Sequence, residues 1–401
     1  MGGATDVAAG RAALASLKVL DLSRVLAGPW AGQLLGDLGA DVVKVEHPGR
    51  GDDTRAWGPP WLRDPQGEPT AEAAYYLAAN RNKRSVAIDL ATPEGRAQAR
   101  RLAARADVLL ENFKVGGLKQ YGLDYESLRQ VNPRLIHCSI TGFGQDGPYA
   151  SRPGYDFLIQ GMGGLMSLTG RPDGEPGGGP LKVGVALTDV MTGLYATVAV
   201  LAALAHRQAT GRGQHIDLAL LDVQVATLAN QASSYLVGGA VPGRMGNAHP
   251  SIVPYQDFPT ADGYMIIAVG NDGQFGRLCQ VLGHPEWAAD PRFLTNPQRV
   301  AHRDALVALI AGVTASRATA DWVAALEAAT VPCGPINTLD RVFADPQVQA
   351  RGMRVEVPHP LGVTVPLTAN PIRLSDSPVA YRRPPPMLGE HTDEVLRDWE
   401  A

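Results

Sequence analysis

The chain has 401 residues and a formal net charge of -4. This length predicts two domains, or one large domain with an insertion, because single cores rarely grow beyond about 250–300 residues. The slightly acidic balance argues against a nucleic-acid-binding or membrane-surface protein and favours an enzyme that acts on small molecules. Three widely spaced cysteines, Cys138, Cys279 and Cys333, match neither a disulfide framework nor a metal cluster, so we expect a cytoplasmic protein.

The first part of the chain alternates between short apolar runs and helical segments. Residues 17–22 (LKVLDL) predict a strand, Pro29 opens a helix, and residues 41–46 (DVVKVE) predict a second strand. Further strands are predicted at 85–90, 107–111 and 135–140, with a helix at 93–106. This alternation predicts an α/β fold with a mostly parallel sheet.

The later part of the chain changes character twice. Glycines and prolines crowd residues 141–180 and predict loops. The apolar run at 190–205 is shorter than the about 20 residues that span a bilayer, so it predicts a buried helix and no membrane association. A hairpin pattern follows Val253. We therefore predict a large domain at 1–237 that begins with a loose arm, a small domain at 238–332, and a return to the large domain at 333–401.

Two carboxylates in or beside the glycine-rich region are candidates for chemistry. Asp189 precedes the apolar helix, where it either caps that helix or, because free amides and the helix dipole favour an ionised carboxylate, acts as a nucleophile. Asp156 either bonds local amides in a turn or serves to orient a reactant or to exchange a proton. The residues alone leave these alternatives open.

Other motifs indicate or exclude binding chemistry. Lys83 lies in the basic run NRNKRS and Arg55 in GDDTR, where they either bind phosphate or are simply solvated. GFGQDG at 142–147 fits the dinucleotide pattern GxGxxG, but Pro148 and the residues after it do not predict the helix that such a site needs. No residue spacing suits a metal, and neither a GxSxG motif nor a P-loop is present.

Several motifs in one order resemble the family III CoA-transferases, the CaiB/BaiF family. The motifs, between Leu17 and Val225 and near the C-terminus, are LKVLDLSRVLAGPWAGQLLGDLGADVVKVEHPGRGDDTR, NRNKRSVAIDL, ENF, NPRLIHCSITGFGQDGP, ALTDVMTG, TGRGQHIDLAL and GEHTDEVL. The resemblance implies a Rossmann-like large domain built from both termini, a smaller α/β domain, and two chains interlocked as a homodimer. It also implies that coenzyme A and acyl-CoA are substrates, with no tightly bound cofactor and no metal.

The resemblance also implies roles for individual residues. Asp189 is the expected nucleophile, Asp156 is a second catalytic candidate, and Gly246 remains from a glycine-rich loop whose amides at 246–250 are candidates for stabilising oxyanions. The expected contacts to CoA are Val25, Leu26, Ala27, His47, Lys83, Asn112 and Phe113. Some members carry an arginine at the position of His47. We expect the substrate carboxylate near Arg55, Arg244 and His249.

The resemblance leaves the exact reaction open. The segment GNAHPSIVPYQDFPTADGY is similar to that of members that use succinate or glutarate, whereas the loss of loop glycines disfavours formyl-CoA and oxalate. We expect CoA transfer from an acyl-CoA, with succinyl-CoA as the candidate donor, to a carboxylic acid of the dicarboxylate type through an aspartyl anhydride and an aspartyl-CoA thioester. One alternative is a 2-methylacyl-CoA racemase, although Tyr155 stands where its histidine would be and His137 is expected in the core. The other is a non-catalytic acyl-CoA-binding protein.

Overall fold

The computed structural model describes residues 12–400, so residues 1–11 of the expected N-terminal arm lie outside the described residues. The strands are β1 (Lys18–Asp21), β2 (Asp41–Glu46), β3 (Trp61–Arg63), β4 (Pro69–Ala73), β5 (Lys83–Ala87), β6 (Val108–Glu111), β7 (Ile136–Thr141), β8 (His215–Ala219), β9 (Tyr255–Thr260), β10 (Gly263–Ala268), β11 (Cys333–Pro335), β12 (Arg354–Pro358) and β13 (Thr364–Thr368).

The α-helices alternate with these strands in the first part of the chain and follow one another in the later part. They are α1 (Ala27–Asp37), α2 (Ala74–Ala78), α3 (Pro93–Arg105), α4 (Tyr125–Leu128), α5 (Asp156–Met162), α6 (Leu165–Leu168), α7 (Leu187–Thr210), α8 (Leu220–Thr227), α9 (Ala229–Gly238), α10 (Asp272–Val281), α11 (Asn296–Ala301), α12 (Arg303–Thr314), α13 (Thr319–Ala328), α14 (Leu339–Ala344), α15 (Pro346–Ala350) and α16 (Thr392–Glu400).

A six-stranded parallel sheet confirms the α/β prediction. Its strand order is β5-β2-β1-β6-β7-β8, and every neighbouring pair is parallel. Because successive side chains of a strand point to opposite faces, Val19 packs into one core and Leu20 into another. Helices α1 and α7 cover the first face, and α3 and α16 cover the second. Helix α16 thus returns the C-terminal segment to the sheet that the N-terminal segment begins.

The chain divides into two compact units whose boundaries differ from the predicted domains. Unit 1 contains the described residues up to Met166, Lys182–Ala240, and those from Gln349 on. Unit 2 contains Ser167–Leu181 and Val241–Val348. The predicted large domain ended at 237 and resumed at 333, so residues 167–181 and 333–348 group with the other unit. No hydrophobic periodicity marks residues 167–181, which explains why the sequence did not separate them.

Unit 2 is built on an antiparallel sheet of order β11-β10-β9. The predicted hairpin is formed by β9 and β10, which pair from Thr260 with Gly263 to Tyr255 with Ala268. Helices α10, α12 and α13 pack their apolar side chains against one face of this sheet, around Phe258, Ile267 and Trp322. This unit has its own hydrophobic core.

Helix α7 is longer and more exposed than the sequence predicted. It spans 24 residues, and half of its most apolar window is buried within the protein. Its buried side includes Thr192, Ala196, Val200 and Ala203, whereas its other side exposes Leu194, Tyr195, Val198 and Leu201. By length and mean hydropathy alone, α7 also meets the criterion for a membrane-crossing helix. The expectation of a buried helix is therefore correct for one face only.

Candidate active site

One point of the parallel sheet, between β1 and β6, is a candidate place for a ligand. Chain order reverses at this point of the sheet, and in open α/β sheets ligands bind beyond the carboxyl ends of the strands at such a reversal. Asn112 follows β6 and ties the two loops together. The Arg24 N–H donates to Asn112 Oδ1 at 2.9 Å, and Asn112 Nδ2 donates to the Arg24 carbonyl at 2.8 Å. The predicted CoA contacts Val25 and Asn112 therefore lie at one end of the sheet.

A buried ion pair holds the loop after β1. Val25 has a φ of 72°, in the left-handed region, and its N–H faces both carboxylate oxygens of Asp52 at 3.3 Å. Asp52 also pairs with Lys44 at 2.9 Å, and both side chains are inaccessible to solvent. Burial alone would raise the pKa of Asp52, but Lys44 and bonds from Thr54 lower it to about 2. The next residues, Leu26 and Ala27, lead into α1.

Lys83 is part of this support, which corrects its assignment as a direct CoA contact. The side chain is fully buried, and Nζ donates to Asp21 Oδ2 at 2.9 Å, to the Pro29 carbonyl at 2.8 Å and to Asn80 Oδ1 at 2.9 Å. These partners occupy all three N–H groups of the ammonium. Burial lowers the pKa of Lys83 to about 8 despite the nearby Asp21. Lys83 positions the loop and has no donor left for a phosphate.

Arg55 is likewise committed within the protein, which corrects its assignment to the substrate. Its Nε and Nη2 donate to the two carboxylate oxygens of Glu46, each at 2.8 Å. Nη1 donates to Glu72 at 3.3 Å, and Nη2 also donates to the Pro386 carbonyl. The guanidinium stacks on the ring of Tyr76, 3.7 Å from its centroid. A side chain so enclosed serves the fold.

His47 and Phe113 lie just beyond the ends of β2 and β6. His47 is exposed, whereas Phe113 is half-buried and packs against the core on the second face of the sheet. The Phe113 N–H donates to Glu111 Oε2 at 2.8 Å. The position of both residues at the carboxyl end of parallel strands is compatible with ligand contact.

Asp189 lies in the first turn of α7, three residues further into the helix than the N-cap position predicted for it. Ala186 occupies the N-cap position and makes no side-chain capping bond. The cap comes instead from Asp156, whose Oδ1 accepts the N–H of Thr188 at 2.8 Å and that of Asp189 at 3.3 Å. Asp156 Oδ2 accepts a bond from Gln160 at 2.7 Å. Asp189 is therefore positioned by Asp156 and does not cap the helix itself.

The electrostatics of Asp189 differ from the expectation of a readily ionised carboxylate. The side chain is 9% exposed. Burial first, and the neighbouring Asp156 second, raise the pKa of Asp189 from 3.8 to about 7. Such a carboxylate is poorly solvated and is present in both protonation states near neutral pH. Buried carboxylates with strongly raised pKa values concentrate at catalytic sites, which makes Asp189 the principal candidate in this unit.

Tyr75 joins this group, although the sequence did not indicate it. Burial, followed by the charges of Asp189 and Asp156, raises the pKa of the Tyr75 hydroxyl. The ring of Trp57 meets that of Tyr75 edge to face at 5.1 Å between centroids. Tyr75 and Tyr76 are adjacent in the sequence but have different environments, since Tyr76 is fully buried. No periodicity in this short segment distinguishes the two.

The other predicted residues lie in unit 2. Arg244 pairs with Asp173, and its Nε donates to the Arg171 carbonyl at 3.2 Å. Gly246 has a φ of 60°, which favours glycine. Both residues line a cavity of about 630 Å³ in this unit. His249 accepts the Ser251 N–H on Nδ1 at 3.1 Å.

The proposed oxyanion donors of the 246–250 loop are largely engaged. The Gly246 N–H donates to the Gly170 carbonyl at 3.0 Å, that of Ala248 to Met245 at 3.1 Å, and that of His249 to Tyr255 at 3.0 Å. Pro250 has no N–H to offer. These bonds correct the expectation that the loop supplies several free amides to a reacting oxygen.

The structure also describes the segment with the dinucleotide pattern and the placement of possible metal ligands. Residues 142–147 follow β7 but run into turns, and the next helix begins only at Asp156. Residues 12–400 contain no group of three or more histidine, cysteine or acidic side chains arranged to hold a metal ion.

Comparison with known proteins gives one consistent result. A family model described as CoA-transferase family III matches residues 14–392. The succinate–glutarate CoA-transferase of Agrobacterium fabrum is 55% identical, over 99% of this chain and 98% of its own length. The succinyl-CoA:glutarate CoA-transferase of Mus musculus is 44% identical over 96% of this chain and 86% of its own. A CAIB/BAIF family protein from Brucella suis has a crystal structure that aligns with a TM-score of 0.85 at 55% identity, covering 96% and 98% of the two chains.

Proposed function

This chain belongs to CoA-transferase family III, and we propose that it transfers coenzyme A from succinyl-CoA to glutarate or a dicarboxylate of similar length. The relatives named for succinate and glutarate cover nearly the whole chain, the first at 55% identity. The observation that carries the mechanism is the buried carboxylate of Asp189 with its pKa raised to about 7. A desolvated carboxylate of this kind is a suitable nucleophile for a thioester.

The proposed reaction proceeds through two anhydrides and one thioester. An Asp189 carboxylate oxygen attacks the thioester carbonyl of succinyl-CoA, which gives a mixed anhydride and CoA thiolate. The thiolate attacks the aspartyl carbonyl, so that succinate leaves and an aspartyl-CoA thioester remains. The acceptor carboxylate then attacks that thioester and releases the thiolate, which attacks the acceptor carbonyl of the second anhydride. The new acyl-CoA forms and the Asp189 carboxylate is restored.

The bonds around Asp189 support this assignment. Because Asp156 accepts the amides of Thr188 and Asp189, the start of α7 is fixed while the carboxylate of Asp189 remains available. Each step exchanges one acyl derivative for another, so no external energy source is required. The α-proton exchange of a racemase has less support, since Tyr155 precedes Asp156 and His137 is buried within β7.

We also propose that the protein acts as a homodimer through the exposed face of α7. Val198 is 62% exposed, and Leu194, Tyr195 and Leu201 lie beside it on the helix. Contiguous apolar surface of this kind is typical of an interface.

We further propose a reducing compartment such as the cytoplasm for this protein. The three cysteines Cys138, Cys279 and Cys333 are free thiols in the described structure, which supports this proposal.

The oligomeric state can be measured directly. Light scattering during gel filtration should give twice the chain mass for the unaltered protein. The double change Val198→Glu and Leu201→Glu should reduce the measured mass to that of one chain. The control change Gln208→Glu, on the same helix, should leave the mass at that of two chains. A single mass for the unaltered protein would contradict the dimer, and recovery in a membrane fraction would indicate that α7 contacts lipid instead.

The experiment that tests the activity is mass spectrometry of the protein incubated with succinyl-CoA and a panel of carboxylic acids. We expect glutaryl-CoA and free succinate to appear together. Asp189→Ala should abolish exchange, while Asp222→Ala, an exposed aspartate in the same unit, should not. The unaltered protein should also gain the mass of CoA less water in the absence of an acceptor, on a fragment that contains Asp189. Exchange that persists in Asp189→Ala would overturn the mechanism.

A further inference from the structure

A buried glutamine joins the helix that carries Asp156 to the segment that leads into α7. Gln160 lies four residues after Asp156 in α5, so the two side chains share one face of that helix. Gln160 is inaccessible to solvent. Its Nε2 donates to Asp156 Oδ2 at 2.7 Å, and its Oε1 accepts the Val183 N–H at 2.9 Å. Gln160 therefore bonds both to the carboxylate that caps α7 and to the backbone just before that helix.

The Val183 N–H fixes the orientation of the Gln160 amide. A backbone N–H can only donate, so it requires the oxygen of the amide and turns the nitrogen towards Asp156. The same nitrogen also approaches the Val185 carbonyl at 3.4 Å. Reversing the amide would set a donor against the Val183 N–H and an oxygen against the Asp156 carboxylate. Gln160 therefore presents a donor to Asp156.

The two carboxylates of the site differ in the hydrogen bonds that they accept. Asp156 accepts bonds from the N–H of Thr188 at 2.8 Å, from that of Asp189 at 3.3 Å and from Gln160. Such donors favour the ionised form of a carboxylate. Burial and then the charge of Asp156 raise the pKa of Asp189, and no donor among the described residues offsets them. When the pair carries one negative charge, that charge therefore lies on Asp156.

We propose that Gln160 is a positioning residue that keeps the negative charge of the pair on Asp156 and so controls when Asp189 becomes a nucleophile. This inference rests on the proposed function, because it concerns the activation of the same nucleophile. Gln160 is fully buried, so it acts through Asp156 and does not itself meet the substrate. Its donor stabilises the anion of Asp156, and that anion in turn opposes the ionisation of Asp189.

The other titratable groups on the elements packed around the pair do not account for this control. Tyr75 of α2 stays uncharged near neutral pH, because burial and both carboxylate charges raise the pKa of its hydroxyl. Cys138 of β7 lies in the core beneath α7, and burial raises the pKa of its thiol to about 12. The remaining groups are exposed, paired with other side chains or on the opposite face of the sheet: Lys182 before α7, Tyr195, His206 and Arg207 of α7, Asp222 of α8, Asp37 of α1, and His137, His215 and Asp217 of β7 and β8. Among the described residues, Asp156 supplies the charge that acts on Asp189.

The experiment compares the pH profiles of kcat/KM for succinyl-CoA in the unaltered full-length protein and in Gln160→Met. Methionine is unbranched and favours the helix, but it offers no donor to Asp156. Because Asp189 then ionises more readily, the midpoint of the acidic limb should fall, by about one pH unit for the loss of a hydrogen bond to a charged group.

The matched control is Gln224→Met. Gln224 is also buried, and its Oε1 accepts the Thr188 hydroxyl at 2.7 Å at the start of α7, but it bonds to no carboxylate among the described residues. If the control alters the activity by loosening the start of α7, it should still keep the midpoint of the unaltered protein. A midpoint that falls equally in Gln224→Met and Gln160→Met would contradict the role of the bond to Asp156.

Two further variants separate an electrostatic role of Gln160 from a purely structural one. Gln160→Glu keeps an oxygen for the Val183 N–H but adds a carboxyl group beside Asp156, so the midpoint should rise, and this rise remains the test if Gln160→Met does not fold. Gln160→Met combined with Asp156→Asn should have the midpoint of Asp156→Asn alone, because the charge through which Gln160 acts is gone. A lower kcat/KM with an unmoved midpoint in Gln160→Met, or shifts of the same sign in Gln160→Met and Gln160→Glu, would overturn the proposal.

Failure of the proposed function would be recognised separately. If the unaltered protein transfers no CoA from succinyl-CoA, that function fails, and unfolding measurements then test Gln160. Protonated Asp189 stabilises the folded protein, and this stability is lost as pH rises from about 4 through about 7. The part due to Asp189 is the difference between each protein and its Asp189→Asn version. Between pH 5.5 and pH 8 this loss should be smaller in Gln160→Met than in the unaltered protein, and an equal loss would refute the role of Gln160.

Discussion

Asp156 accepts the backbone N–H of Asp189 at 3.3 Å, and the two carboxylates lie close enough for the charge of Asp156 to raise the pKa of Asp189. One side chain therefore has two effects on its neighbour. Its bonds to the amides of Thr188 and Asp189 fix the start of α7. Its charge makes ionisation of Asp189 less favourable. Asp156 thus holds the nucleophile Asp189 in place and also raises its pKa, so that Asp189 ionises only at a higher pH.

The activity should rise with pH through neutrality. Only ionised Asp189 can attack a thioester, and its pKa is raised to about 7. We expect the acidic limb of the profile of kcat/KM for succinyl-CoA to have its midpoint near that value, because this parameter reports the ionisation of the free enzyme. A profile that is flat between pH 5 and pH 8 would show that Asp189 is fully ionised throughout.

Asp156→Asn should move this limb to lower pH. The amide oxygen can still accept the N–H of Thr188, but the negative charge beside Asp189 is removed. The pKa should stay above 3.8 because burial is its larger cause. Asp156→Ala removes the cap as well and should cost about 1 kcal/mol of stability. The pH profiles and urea unfolding curves of both variants test this, and an unchanged midpoint in Asp156→Asn would contradict the electrostatic role.

Asp189→Asn should be inactive but more stable at alkaline pH. A folded-state pKa above that of the unfolded chain means that the protein is stabilised while Asp189 is protonated and loses this stability as pH rises from about 4 through about 7. A pKa raised from 3.8 to about 7 corresponds to about 4 kcal/mol in total. The neutral amide avoids this loss, so the stability advantage of the variant should grow by about 2 kcal/mol between pH 5.5 and pH 8. Guanidinium unfolding at both pH values measures it.

Arg55→Gln should affect folding before it affects specificity. The change leaves Glu46 buried without its main partner, and removing one member of a buried ion pair typically costs about 3–5 kcal/mol. We expect a lower midpoint of thermal unfolding. The ratio of kcat/KM for glutarate to kcat/KM for pentanoate should stay unaltered in the folded fraction. A changed ratio at full stability would restore Arg55 as a substrate contact. Arg24→Gln serves as a control, because its pair with Asp53 is exposed.

Individual residues show how far the sequence predicted the site. The family resemblance singled out Asp189 within the motif ALTDVMTG, and it also named Val25 and Asn112 as contacts to CoA. The same reasoning assigned Arg55 and Lys83 to ligands, because a charged residue in a loop or at the start of a strand looks alike in sequence whether it is solvated or paired. Only the structure showed Glu46 and Asp21 as their partners. These partners are 9 and 62 positions away in the chain.

The sequence by itself determined the α/β fold, the family and the carboxylate most suited to be the nucleophile, because these depend on local periodicity and on motifs of adjacent residues. Tertiary structure alone decided which charges are neutralised and which are available. It paired Arg55 with Glu46 and placed Asp156 beside Asp189. The pKa of a carboxylate and the availability of a guanidinium depend on burial and on neighbours distant in the chain, and no local pattern encodes either.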